Sequence, residues 1–205
     1  MCIRDRNGRR WLIAPTAVPT GSQGSSLDAV SCTAATTCTA VGSYSNRAGA
    51  RVTLAEARNG KNWAIEPIPD TSGAQRSSLY GVSCTAATTC TAVGAYTNSA
   101  GTDVALAEIR NGKKWASEPI VDPAGSQGSS LDGASCNAAT ACTAVGTYTN
   151  AAEIDVTLAE VWSGKKQLIE PTPNPTGATP SSLSGVSCLS LIHISRGNSR
   201  QHRRQ

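Results

Sequence analysis

Residues 25–44 read SSLDAVSCTAATTCTAVGSY, and nearly the same string returns as SSLYGVSCTAATTCTAVGAY at 77–96 and as SSLDGASCNAATACTAVGTY at 129–148. The step, from 25 to 77 to 129, is 52 residues. A fixed period of this length marks a chain built from stacked copies of one supersecondary unit. The register extends well beyond the quoted string. Asn7, Asn59, Asn111 and Ser163 coincide, as do Gly8, Gly60, Gly112 and Gly164, and Pro15, Pro67, Pro119 and Pro171. Leu27, Leu79, Leu131 and Leu183 line up as well. Trp11, Trp63 and Trp115 do too, with Gln167 the one break.

Each period reads as four short strands. In the first complete copy, Leu27–Cys32 and Cys38–Tyr44 flank a small, turn-prone loop and form a hairpin. Val52–Arg58 (VTLAEAR) and Trp63–Ile68 (WAIEPI) form a second hairpin across Asn59-Gly60, a pair whose two positions both tolerate positive φ. The stretch PDTSGAQRSS, rich in turn-forming residues, then leads to the next copy. No run has helical spacing bounded by caps, and the Ala, Thr and Val content suits sheets packed closely on both faces. The expectation is an all-β chain of tandem four-stranded antiparallel units. A string of independent disulfide domains is disfavoured, because so few aromatics and so little apolar bulk would struggle to stabilise a core in each unit alone.

The two ends depart from the repeat. Where TAATTCTAVG should follow Cys188, the chain reads LSLIHIS, and the cysteine due at position 194 is Ile194. Back-translated with one codon choice, MCIRDR gives ATGTGTATAAGAGACAG. The reverse complement, CTGTCTCTTATACACAT, encodes Leu-Ser-Leu-Ile-His and the start of an Ile codon. One DNA element is thus read in opposite orientations at the two ends, and it resembles the transposase adapter used to fragment DNA for shotgun sequencing. Residues 1–6 and 189–205 are therefore expected to be adapter-derived and are set apart from the fold. What remains is a repeat fragment over 7–188, divided as 7–58, 59–110, 111–162 and a partial copy at 163–188.

That division changes the bulk properties. The whole chain carries a formal charge of +4, but residues 7–188 hold twelve Lys and Arg against thirteen Asp and Glu. The basic balance that would suggest nucleic acid or an anionic membrane surface belongs to the ends. Met1, His193 and His202 also lie there, so the repeat region has no His, Met or Phe. It cannot itself supply a Ser-His-Asp triad, a His-bearing zinc site or a histidine base. No stretch is apolar for long enough to span a membrane as a helix. No cofactor or metal is expected.

Of the eight cysteines, Cys2 lies in the adapter-like start and Cys188 has lost its register partner. The other six form three pairs: Cys32 with Cys38, Cys84 with Cys90, and Cys136 with Cys142. Cysteines directly opposite in a hairpin lie close enough for a disulfide. Each such bridge adds about 2 kcal/mol in the chain-entropy model. A disulfide in every repeat implies an oxidising compartment, hence secretion or the cell surface. Two thiolates without a His or a second Cys pair would make a poor zinc cage.

The pattern SLxGVSCxxxxxCTAVGxY…TLAExxNGxxW resembles secreted bacterial β-propeller repeats of the sialidase and photosystem II assembly-factor type. The resemblance covers residues 7–188 and implies an incomplete propeller, an open arc of about three and a half blades cut from a longer gene. At the family's Asp-box, Ser-x-Asp-x-Gly-x-Thr-Trp, Gly60 and Trp63 fit while Glu56, Arg58 and Asn62 stand in the Ser, Asp and Thr places. In the next unit Gly112 and Trp115 fit, and Glu108, Arg110 and Lys114 depart in the same way.

A sialidase-like enzyme, as the resemblance implies, would use an arginine cluster, a Tyr–Glu nucleophile pair and an Asp acid gathered from different blades. The residues of matching type are Tyr44, Tyr96 and Tyr148 with Glu56, Glu108 and Glu160. All recur at one register in every unit, whereas a single active site needs different residues from different blades. They are therefore read as structural, with Tyr as strand-end packing, and Glu as solvated or paired with nearby Arg and Lys. Trp11, Trp63 and Trp115 are read as blade anchors rather than sugar-stacking platforms. The lysine-bearing NGKKW loop is read as a solvated surface. No catalytic, metal or cofactor residue is assigned. The expected role is a non-catalytic secreted binding or scaffold module for an unidentified protein or glycan, discriminated by the loops SNRAGAR, TNSAGTD and TNAAEID. The alternative is a fragment of a sialidase-like glycoside hydrolase whose catalytic residues lie in other blades. An assembly factor for a membrane complex is a third reading.

Overall fold

The computed structural model describes residues 2–4, 11–69, 71–163, 166–174 and 180–188, with backbone alone for 2–4 and 11–13. Among these residues there is no helix, and the regular structure is fourteen strands. A short pair comes first, β1 (Cys2–Arg4) against β2 (Trp11–Ile13). Three four-stranded antiparallel meanders follow. Sheet one is β3 (Gly24–Ala34), β4 (Thr37–Ser45), β5 (Arg51–Asn59) and β6 (Asn62–Glu66). Sheet two is β7 (Arg76–Ala86), β8 (Thr89–Thr97), β9 (Asp103–Asn111) and β10 (Lys114–Glu118). Sheet three is β11 (Gly128–Ala138), β12 (Ala141–Thr149), β13 (Asp155–Ser163) and β14 (Lys166–Glu170).

Strand existence follows the sequence reading, while several boundaries and turns differ. The first strand of each sheet is longer than its apolar pattern, reaching back through the serines to Gly24 and on to Ala34. The last strand stops at Glu66, because Pro67 has no N–H to continue the ladder. The second hairpin turn is also placed differently. Asn59 pairs with Asn62, so the two loop residues are Gly60 and Lys61, and Gly60 carries the positive φ of 78°. Glycine at the first loop position is the requirement of a type II′ turn. Each sheet runs from a first strand to a fourth, so the divisions at 58/59 and 110/111 fall inside the second hairpins.

Two β-bulges shape every first strand. The register shifts between Leu27 and Ala29, where Leu27 pairs with Gly42 and Ala29 with Val41, so Asp28 is the extra residue. Residues two apart normally share a face of a strand, but the bulge turns Leu27 and Ala29 to opposite faces. Leu27 then packs with Cys38, Ala40 and Trp63 on one side of sheet one, and Ala29 with Val41 and Ala55 on the other. The bulge also explains the invariant "VG" of the repeat. A Cβ on Gly42, Gly94 or Gly146 would lie 2.1, 2.0 or 2.0 Å from the carbonyl oxygen of the serine that precedes its cross-strand leucine.

The sheets stack face to face. β7 lies against β3, β4 and β5, and β11 against β7, β8 and β9, so each first strand packs across the first three strands of the preceding sheet. Val41, Ala55, Leu79, Ala92, Leu106 and Trp115 fill the first interface. Val93, Ala105, Ala107, Leu131, Ala144 and Leu158 fill the second. The two central strands of sheet two, β8 and β9, are thus buried on both faces. The backbones approach closely where the residue is small: a Cβ on Gly81 would lie 2.9 Å from the Gly133 Cα.

Serine hydroxyls stitch neighbouring sheets. Ser31, Ser83 and Ser135 accept from the backbone N–H of Cys84, Cys136 and Cys188 at 3.0, 2.9 and 2.9 Å. Ser77 and Ser129 accept from Thr53 and Ala105 at 3.2 and 2.8 Å. The third of the Cys contacts seats residues up to Cys188 against sheet three as the start of a further copy. At the other end the pairing breaks register. Trp63 faces Arg58, so the repeat would set Trp11 opposite residue 6, yet Trp11 faces Arg4.

Three disulfides, Cys32–Cys38, Cys84–Cys90 and Cys136–Cys142, close the first hairpins with Cα atoms 4.0 Å apart. In each, the two cysteines are direct cross-strand partners. Cys188 is a half-buried free thiol. No helix among the described residues is long and apolar enough to cross a membrane. Intramolecular disulfides in every sheet are typical of extracellular proteins.

Candidate functional site

The loops between the second and third strands share one rim. Each is locked by an asparagine whose Oδ1 accepts two backbone N–H groups. Asn46 holds Ala48 and Ala50 at 2.9 and 3.0 Å, Asn98 holds Ala100 and Thr102, and Asn150 holds Ala152 and Ile154. The chain then turns through a residue of positive φ, at Gly49 (82°), Gly101 (83°) and Glu153 (59°). Glu153 is the sole non-glycine in that conformation among the described residues.

Below the loops, the serines that open the first strands, a threonine and the residue opening the third strand frame a pocket between adjacent sheets. Between sheets one and two this pocket holds about 190 Å³ and is lined by Arg51, Arg76, Ser77, Ser78, Thr97 and Asp103. Arg76 donates to Thr97 Oγ1 at 2.6 Å and forms an exposed ion pair with Asp103 at 3.5 Å. One repeat on, the same frame encloses about 380 Å³, with Asp103, Ser129, Ser130, Thr149 and Asp155 in its lining. Arg51 and Arg76 are replaced there by Asp103 and Gly128, so the rim changes from basic to acidic over one repeat. Thr149 Oγ1 bonds Asp155 at 2.7 Å.

The glutamates are placed differently from the expectation that they are solvated or paired with basic residues. Glu56, Glu108 and Glu160 are buried, at 1, 0 and 0 % exposure. They follow Leu54, Leu106 and Leu158 on the same strand face, so Glu108 and Glu160 point between sheets, while Glu56 lies on the face of sheet one turned away from sheet two. Glu56 accepts from the Ala17 N–H at 3.0 Å, Glu108 from the Ser117 hydroxyl at 2.7 Å, and Glu160 from the Gln167 amide at 2.6 Å. One oxygen each of Glu108 and Glu160 has no partner. Burial lifts both carboxyls to about 7 against the Ser117 and Gln167 bonds, with Asp122 adding repulsion at Glu160. Burial raises Glu56 as well, opposed by its bond from Ala17. Position 69, at the register of Ala17, is Pro69, which has no N–H to offer Glu108.

The tyrosine–glutamate pairs are not brought together within a sheet. Glu108 faces Ala92 on β8, four residues along that strand from Tyr96, roughly 13 Å at strand rise. Tyr44 with Glu56 and Tyr148 with Glu160 repeat the spacing. Tyr96 and Tyr148 are half-buried and pack on the sheet-interface cores. Trp63 and Trp115 are buried anchors, while Trp11 lies where side chains are not described. Lys113 and Lys114 are exposed. At the Asp-box position Arg58 braces its own turn by donating to the Gly60 carbonyl at 3.1 Å. Among the described residues no group of three or more His, Cys, Asp or Glu side chains could hold a metal ion.

A network that the sequence reading did not single out spans the first interface. Arg110 on β9 ion-pairs with Glu66 on β6, both largely buried. Trp115 Nε1 donates to the other Glu66 oxygen at 3.0 Å. The available signal was a glutamate before each repeat proline, at Glu66, Glu118 and Glu170. Gln167, the break in the tryptophan register, is also accounted for. Its direct cross-strand partner is Trp162, so sheet three carries its buried indole on the neighbouring strand.

No protein-family model matches the chain, and no curated protein or solved structure matches it.

Proposed function

We propose that the chain is a piece of a secreted β-propeller that serves as a non-catalytic binding or scaffold module, with a protein or glycan seated on the rim built by residues 45–51, 97–103 and 149–155. The observation that carries this reading is the pair of rim pockets. Their backbone frame and hydroxyl lining repeat, while Arg51 and Arg76 of the first pocket give way to Asp103 and Gly128 in the second. A fixed frame with changing polar groups is what recognition of one asymmetric ligand requires, and surface loops on a rigid scaffold are where such residues concentrate.

Three further observations support it. Face-to-face stacking of four-stranded meanders supports blades, and the disulfides in each sheet support an oxidising compartment. Glu108 and Glu160 are buried in the sheet interfaces, away from the rim pockets. The test is glycan-array and secretome binding by the oxidised protein, with turnover of sialosides and other glycosides measured in parallel. Saturable binding without turnover, reduced by Arg51→Ala together with Arg76→Ala, is the expected result. Glycoside turnover would overturn the non-catalytic reading.

A further inference from the structure

The two sheet interfaces differ at the place of Arg110, and a cavity lies there in the second. In the first interface the Arg110 guanidinium is seated by three acceptors: the Glu66 carboxylate, Thr39 Oγ1 at 3.3 Å and the Ala87 carbonyl at 3.0 Å. One repeat later those acceptors become Glu118, Thr91 and Ala139, and the residue in the place of Arg110 is Trp162. The acceptors are kept and the cation is gone. Glu118, Thr91, Ala139 and Trp162 all line one cavity of about 300 Å³ between sheets two and three, together with Arg110, whose own charge is paired with Glu66. Among the described residues no hydrogen bond or ion pair reaches the Glu118 carboxylate, whereas Glu66 receives both Arg110 and Trp115. The buried Trp162 Nε1 also has no partner.

We infer that this cavity is a vacated arginine seat and that it binds an alkylguanidinium cation, either a free small molecule or an arginine side chain of a peptide. A planar guanidinium matches a carboxylate with two forked N–H donors, a geometry an ammonium cannot reproduce. The neighbouring carbonyl and hydroxyl accept the remaining donors, as their counterparts do for Arg110. The indole of Trp162 supplies an aromatic wall of the kind that favours cations. The volume exceeds a bare guanidinium and leaves room for its alkyl stem along Ala107 and Ile109, which also line the cavity. This site is separate from the rim proposed above and stands or falls independently of it.

The experiment titrates the oxidised protein with N-ethylguanidinium, and separately with a short Gly-Arg-Gly peptide, following the Trp162 indole N–H resonance and the heat of binding. Ethylammonium and sodium chloride at matched ionic strength are the controls. Saturable binding near 1 mM is expected, the affinity of one charge-assisted contact set in a preformed site. The resonance should move with guanidinium and stay still with sodium chloride, and ethylammonium should bind at least fivefold more weakly. Binding of the small cation with no binding of the peptide would assign a free ligand; binding of both would assign an accessible arginine side chain.

Two variants keep the inference open to refutation. Glu118→Gln should weaken binding at least tenfold, while Glu118→Asp retains part of it. Trp162→Arg, which restores the repeat residue, should fill the seat, abolish binding and raise the melting temperature. Absence of saturation at about twenty times that concentration, equal binding by Glu118→Gln, or undiminished binding in a folded Trp162→Arg protein would each overturn the proposal.

Discussion

Glu108 and Glu160 make stability depend on pH in a direction opposite to ordinary salt-bridged carboxylates. Both are held between sheets with one oxygen unpartnered, and burial lifts each from 4.5 to about 7. The folded state therefore binds more protons than the unfolded chain between those two values, and stability falls as pH rises through that window. Below about pH 4.5 both states are protonated and the contribution is flat; above about pH 7 both are ionised and the full penalty is present. At 1.36 kcal/mol per unit the penalty reaches about 3 kcal/mol for each glutamate, a large part of the 5–15 kcal/mol that holds a typical domain together.

The perturbation is the pair Glu108→Gln and Glu160→Gln, which keeps the side-chain shape and an oxygen to accept from Ser117 or Gln167 while removing ionisation. Urea unfolding at a series of pH values from about 5 to about 8.5 reads the effect through the midpoint. The parent protein should lose several kcal/mol across this range, each single substitution should remove about half of the loss, and the double variant should be nearly flat. Glu56 and Asp132, raised by burial in the same sense, leave a small residual slope. A parent midpoint that does not change with pH, or a double variant that keeps the parent slope, would refute the reasoning.

Other substitutions test the fold at named points. Glu153→Gly relieves a left-handed backbone that Gly49 and Gly101 adopt without cost, and should gain about 1 kcal/mol, or roughly 2–4 °C in calorimetry. Gly94→Ala puts a Cβ 2.0 Å from the Ser78 carbonyl oxygen and 2.8 Å from the Leu79 Cα, so it should cost about 3 kcal/mol or more in urea unfolding; Gly24→Ala, with open space around it, should be nearly neutral. Glu66→Gln leaves the Arg110 charge buried without its counter-ion and should cost about 3 kcal/mol, with Arg110→Met restoring part of the loss in the double variant. Replacing Cys84 and Cys90 together by Ser should cost about 2 kcal/mol, and a non-reduced digest of the parent should show three bridges within the repeats.

The fourfold strand count per repeat and the cysteine pairing were legible in the 52-residue period, because strand spacing, turn residues and cross-strand cysteines are all local along the chain. The three sheets and their meander order follow from that local information. The positions of Glu56, Glu108 and Glu160 were not legible. In a strand buried on both faces, a glutamate two places after a leucine gives no local sign of burial, and only packing from outside its own sheet removes its water. Gln167 stood only as the one break in the tryptophan register, since nothing local says that Trp162 stands directly opposite.

The sequence by itself determined the repeat, the strand count and the disulfides, since strand spacing and cross-strand cysteines depend on residues within one hairpin. Tertiary structure alone decided which glutamates lose their water, which sheet supplies Arg110 with its carboxylate and where that arrangement is left without its cation. Those outcomes depend on pairs of residues some 40 to 70 positions apart, such as Glu66 with Arg110 and Thr39 with Arg110, that meet only when one sheet closes on the next.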